Sequence, residues 1–155
     1  MKLRIAFPVA VLGLAVFASV TALELPAQKP GLWQTTMTGE KIPGGSRTYS
    51  MCLDAASLAE AKASADAHLK NDCSNSDVRM QGSTWIAEST CTLSGMHVVA
   101  RSETTFNGDD SFHTQVTSSY DSPKHGATTS VMKVDSKYLG ACAPGQKVGV
   151  PEAQK

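Results

Sequence analysis

The chain reads as a mainly β protein (α+β): a curved up-and-down antiparallel sheet, or an open barrel, of about seven strands with one inserted helix and two disulfides. Three features lead there. Seven segments alternate larger apolar side chains with polar ones at a period of two, the spacing of a half-buried strand. Short turn signals separate most of these segments, and sequential strands joined by turns can neighbour each other only antiparallel. One Ala-rich segment without Gly or Pro interrupts the series.

Residues 23–29 form a Pro-containing lead. Residues 31–38 follow as a strand with Trp33, Thr35 and Met37 on one face. Ile42-Pro43-Gly44-Gly45 is a turn, and residues 46–53 are a second strand carrying Tyr49 and Met51 together. Residues 54–70 are the helix. Asp54 suits its N-cap, because a carboxylate accepts the orphan amides of a first turn. Leu58, Ala61, Ala65 and Leu69 make one narrow apolar stripe, and Asp66 with Lys70 forms an i, i+4 pair. That helix should pack on the sheet or across an open end.

Period two returns with a short strand at 77–81, a turn at Gly82-Ser83 and a strand at 84–93. The latter places Trp85, Ala87, Ser89, Cys91 and Leu93 on one face. After Ser94-Gly95, residues 96–106 align Met96, Val98, Ala100, Ser102, Thr104 and Phe106. Asn107-Gly108 signals a tight hairpin, since both residues accept positive φ. The return strand, 111–121, aligns Phe112, Thr114, Val116, Ser118 and Tyr120. A turn at Ser122-Pro123-Lys124-His125-Gly126 leads to the last strand, 127–139, with Ser130, Met132, Val134 and Tyr138 alternating. From Pro144 the chain reads as loose.

The first 22 residues have another character. Lys2 and Arg4 precede an apolar run over 5–20, which exits through Val20-Thr21-Ala22, the pattern of a cleavable secretory signal. The rival reading is a membrane anchor. A run of about 16 residues, broken by Pro8 and Gly13, is short of the roughly 20 that span a bilayer. The domain division is therefore a signal peptide at 1–22, one β-rich domain at 23–142 and a flexible C-terminal tail at 143–155. The expected location is periplasmic, or secreted, with no stable membrane insertion after signal cleavage.

The full chain has 14 basic and 14 acidic side chains; without Lys2 and Arg4 the mature part is acidic by two. Basic residues are scattered singly, which counts against nucleic acid, whose binding needs clustered positive charge. Cys52, Cys73, Cys91 and Cys142 are an even set in an exported domain and read as two disulfides. Their spacing lacks the close ligand pairs of a zinc site and the Cys-x-x-Cys of a redox pair. Three pairings are open. Cys52–Cys73 with Cys91–Cys142 is preferred, because one bond would then close the helical excursion and the other would tie down the last strand.

Several landmarks together carry a resemblance. Lys29-Pro30-Gly31-Leu32-Trp33-Gln34 stands soon after the signal. Cys52 precedes the helix and Cys73 follows it. A Trp-and-Cys strand comes next, and the chain closes on Lys137-Tyr138-Leu139-Gly140-Ala141-Cys142. This resembles the bacterial exported family called domain of unknown function 3617, over residues 29–142. The resemblance implies a Gram-negative periplasmic or envelope protein and no assigned activity. Gln34 stands where the family usually has Glu, and Ala141 where it usually has Asp, which argues against a catalytic carboxylate at either position.

No catalytic motif or cofactor signature is visible. His68 sits near the helix end, where a cation suits the dipole. His113 pairs near Thr104 or Thr105 across the Asn-Gly hairpin, which puts it about 25 Å from His97 at about 3.3 Å per residue; the two cannot share a metal. Serines abound without a Gly-x-Ser-x-Gly elbow. Asp109-Asp110 is read as turn residues rather than an acid/base dyad, and Gly44-Gly45 lacks the partners of a phosphate loop. The suggestive feature is the run of small side chains on the inner face, among them Ala87, Ser89, Ala100, Ser102, Ser118 and Ser130. Either the helix fills that space or a ligand does. The functional expectation is a non-enzymatic binding module for a small apolar or amphipathic ligand, lined by Trp33, Trp85, Phe106, Phe112 and Tyr120. The alternatives are an interaction or structural module of the cell envelope, with an envelope protein as partner, and a hydrolase without a recognisable motif.

Overall fold

The computed structural model describes residues 26, 28–122 and 126–153, without the side chains of 122, 126 and 127. The segment expected to be a signal, 1–22, and His125 lie outside these. Eight antiparallel strands form one open sheet. They are β1 (Gly31–Gly39), β2 (Ser46–Leu53), β3 (Cys73–Gln81), β4 (Thr84–Leu93), β5 (Met96–Asn107), β6 (Ser111–Ser122), β7 (Gly126–Gly140) and β8 (Glu152–Ala153), in the order β3-β4-β5-β6-β7-β1-β2-β8. Helix α1 (Ala55–Asp72) is inserted between β2 and β3. The mainly β class, the up-and-down pairing and the single helix are as the sequence predicts.

The hairpins β3–β4, β4–β5, β5–β6 and β6–β7 pair in the registers their turns dictate, for example Thr105 opposite His113. The long-range step is β1 against β7, with Trp33 opposite Tyr138 and Thr35 opposite Ser136. That pairing makes the chain's first and last long strands neighbours, and β1 also pairs β2. β2 and β3 lie near opposite ends of the strand order, and α1 bridges them.

The helix starts as expected. The Asp54 carboxylate accepts from the Ser57 amide at 2.7 Å, and the Ser57 hydroxyl accepts from the Asp54 amide at 3.0 Å. This reciprocal cap also holds the Asp54 carboxyl below its usual range, chiefly through the Ser57 amide. Its expected packing does not occur. Leu58 is half-buried, but residues 61–70 are exposed throughout, and the contacts of α1 with the sheet are chiefly to β3 and β4. The helical ion pair joins Lys62 to Asp66 at 2.7 Å, not Asp66 to Lys70. A stripe made mostly of Ala offers little area to bury, so little drives it onto the sheet.

The disulfides are Cys52–Cys142 and Cys73–Cys91, which overturns the preferred pairing. Helix rise explains why. Eighteen helical residues at 1.5 Å each hold the chain on either side of α1 about 27 Å apart, while a disulfide requires Cα atoms within about 7 Å. Cys73 instead faces Cys91 directly across β3–β4. Cys142, just past β7, reaches over the end of β1 to Cys52 on β2. The segment beyond Pro144 then returns along β2: the Gly149 amide donates to the Cys52 carbonyl at 2.8 Å, and β8 pairs with Tyr49 and Ser50. The stretch expected to be a loose tail therefore adds an edge strand.

Candidate functional site: the sheltered face of the sheet

Register places all five candidate lining residues on one face. Cross-strand rows can be read from the pairings. One runs Met80, Trp85, Thr104, Thr114, Val134, Met37; the next runs Val78, Ala87, Ser102, Val116, Met132, Gly39; a third runs Ser76, Ser89, Ala100, Ser118, Ser130. This face is the sheltered one. Along β7, Met132, Val134 and Tyr138 are half-buried and Ser136 is buried, whereas Val131, Lys133, Asp135, Lys137 and Leu139 between them are exposed. The shelter is partial. Trp33 at 2%, Val98 at 6%, and Cys91 and Thr104 at 8% exposure are its most enclosed side chains beside Ser136.

One end of the face is a packed aromatic corner. The Trp33 ring centroid lies 5.6 Å from that of Tyr138 and 6.2 Å from that of Phe112, and Phe106 lies 5.9 Å from Phe112. The indole N–H donates to the Lys29 carbonyl at 2.9 Å. Lys29 caps the corner with its ammonium 4.2 Å from the Tyr138 ring centroid, and it pairs with Asp110 and, at 3.5 Å, with Asp109 in the β5–β6 turn. The Asp110 hydrogen bond raises the Lys29 pKa. Asp109 and Asp110 thus anchor the lead into β1. Gly31 completes the corner. Its φ is +145°, and a Cβ there would collide with the Tyr138 ring and the Gly140 carbonyl.

Trp33 is thus a core residue whose polar atom is already satisfied. Phe106 and Phe112 are half-buried beside it. Trp85 is half-buried in the next row, opposite Thr104 on β5 and Met80 on β3. Tyr120 stands apart: eight residues beyond Phe112, it lies about 26 Å away along β6. There it lines a cavity of about 160 Å³ with Val116, Ser118, Ser130 and Met132, bordered by Lys41 and Ile42 of the β1–β2 loop. The structure therefore separates the five residues: Trp33, Phe106 and Phe112 form an aromatic corner, Trp85 stands on β4 in the next row, and Tyr120 lines a distant cavity. Sequence reasoning left Tyr138, Val134 and Met132 out of the lining set. Their period-two spacing on the last strand was the available signal.

The charge network of the central strands lies on the other face, while Arg47, opposite Met37, stands on the sheltered one. Glu88 joins Arg79 at 2.7 Å and also Arg101, and Arg101 reaches Glu103 at 2.9 Å. The two guanidinium groups, Arg79 first, hold the Glu88 carboxyl down at about 2. Ile86, between Arg79 and Glu103 in register, is 3% exposed on the face that carries this network. Among the described residues no group of three His, Cys, Asp or Glu side chains could hold a metal ion, and no helix is long and apolar enough to cross a membrane.

The aromatic corner is built by Lys29-Pro30-Gly31-Leu32-Trp33 at the start of the sheet and Tyr138-Leu139-Gly140 at its end, with Cys142 tied to Cys52 just beyond. The family model for proteins of unknown function DUF3617 matches residues 28–142. The chain belongs to this family. No curated protein and no solved structure matches it. In this DUF3617 chain the Gly, Trp, Tyr and Cys of those two motifs form packing and a disulfide, the contacts that hold β1 against β7.

Proposed function

We propose that this DUF3617 protein is an exported, non-enzymatic binding module that holds a small apolar or amphipathic molecule against the sheltered face of its sheet. The observation that carries the proposal is the exposure of α1. The helix could have filled the face, yet residues 61–70 are all exposed. The rows through Ala87, Ser89, Ala100, Ser102, Ser118 and Ser130 are then left to the sheet's own twist for shelter. Small side chains there leave room, while Trp85, Val116, Tyr120 and Met132 supply apolar walls. Burying apolar ligand surface contributes about 25 cal/mol per Å², from which the costs of immobilising the ligand are subtracted. Two disulfides fit an oxidising compartment, the setting that the basic-apolar start implies.

Native mass spectrometry of protein purified from the periplasm tests this reading. A retained small-molecule mass, removed by organic extraction and replaced by a lipophilic dye, is the expected result. Protein that carries nothing and takes up no dye would refute it. A second reading, an interaction module of the cell envelope, rests on β3. This strand ends the strand order, so its outer edge offers unpaired backbone groups, and Met80 on it is 52% exposed. A co-purifying protein in the same spectrum would favour that reading.

A further inference from the structure

On the face opposite the proposed ligand strip, a cleft of about 380 Å³ opens across β5, β6, β7 and β1, within the size range of small-molecule sites. Two adjacent cross-strand rows build it. Thr105, His113, Asp135 and Thr36 form one, and Asn107, Ser111, Lys137 and Gln34 the other. The His113 ring is oriented: its Nδ1 lies 2.7 Å from an Asp135 carboxylate oxygen, which leaves Nε2 as the ring's other polar atom. Lys137, two residues from Asp135 on the same face, makes no ion pair among the described residues.

We propose that this cleft binds a small hydroxylated carboxylate of the size of one sugar acid. Lys137 supplies the cation for the carboxylate. Asn107, Ser111 and His113 Nε2 can each exchange hydrogen bonds with ligand hydroxyls, and the second oxygen of Asp135 accepts from another. A purely apolar ligand would leave these groups unpaired, and a bare anion would leave the amide and hydroxyl groups unused. The site is independent of the sheltered face.

The test is titration of the ¹⁵N-labelled mature protein with D-galacturonate, followed by amide shifts, with D-galactose and sodium acetate as separate probes. Galacturonate should shift the amides of Asn107, His113 and Lys137 saturably, and galactose and acetate should each bind at least about tenfold more weakly. Lys137→Gln should weaken galacturonate by about tenfold or more, the usual scale of a charged hydrogen bond. Lys133→Gln, on the same face of β7 but outside the cleft, should leave it unchanged. Absence of saturable shifts, equal binding of acetate, or an unaltered Lys137→Gln would each overturn the proposal. Ala100→Leu, on the other face, should leave galacturonate binding intact, so failure here and failure of the apolar-ligand reading are separable.

Discussion

Replacing Ala100 by Leu separates an unfilled sheet face from a packed one. Ala100 is half-buried on β5 with Ser89 opposite on β4 and Ser118 opposite on β6. Both neighbours are small, and of Leu58 and Ala61, the helical residues that would clash if the helix filled this face, Ala61 is exposed and Leu58 only half-buried. Three added carbons therefore enter open space. If they packed against existing side chains, overpacking would cost about 1–3 kcal/mol. At about 3–6 °C per kcal/mol for a domain of this size, the melting temperature would fall by roughly 3–18 °C. The structure predicts a change within about 2 °C, because any strain is offset by partial burial of the new methyl groups at about 0.8 kcal/mol per fully buried carbon. Uptake of a lipophilic dye should fall several-fold, since the Leu side chain occupies the middle of the small-residue rows. Differential scanning calorimetry and a fluorescence titration on the same samples measure both. A fall of more than about 5 °C with unchanged dye binding would refute the reasoning and make the face a core.

Three further outcomes follow from the geometry. Removing the long-range bridge as Cys52→Ser/Cys142→Ser should cost about 4.5 kcal/mol, and removing the hairpin bridge as Cys73→Ser/Cys91→Ser about 3 kcal/mol, because the closed loops span 90 and 18 residues; urea titration of each double variant ranks them, and the reverse order would contradict the assignment. Gly31→Ala should destabilise by about 2–4 kcal/mol through the left-handed backbone and the collision with Tyr138, and an unchanged urea midpoint would show that the corner yields. Glu88 is held at about 2, below its ordinary value near 4.5. Its contribution is thus present above pH 4.5 and lost as pH falls toward 2. Glu88→Gln should flatten that part of the stability–pH curve, and a wild-type-like slope would count against the Arg79–Glu88–Arg101 network.

Much of the wiring is legible in the sequence. Gly82-Ser83 sets Gln81 opposite Thr84. Counting eight residues back and eight forward puts Cys73 beside Thr92, one bulge away from Cys91. That count identifies the short disulfide, and helix rise alone excludes a Cys52–Cys73 bond. The turn at 122–126 likewise places His113 against Asp135, the pair at the centre of the cleft. A comparison of His113 with the other histidines alone does not reveal this pair.

Local chemistry specified the strand faces, the helix cap at Asp54 and the hairpin registers, since each depends on side-chain alternation or on turn residues a few positions apart. Other features depended on chain segments about a hundred residues apart. Pairing β1 with β7 brings Gly31 under Tyr138, makes Trp33 core instead of ligand wall, and carries Cys142 to Cys52. Nothing local selects that partner: an open edge strand offers the same backbone groups to any other strand. The position of α1 was undecided for a related reason. An Ala stripe specifies a helix but buries too little area to specify a docking site. Whether the helix filled the inner face of the sheet therefore depended on where α1 came to lie in the whole fold.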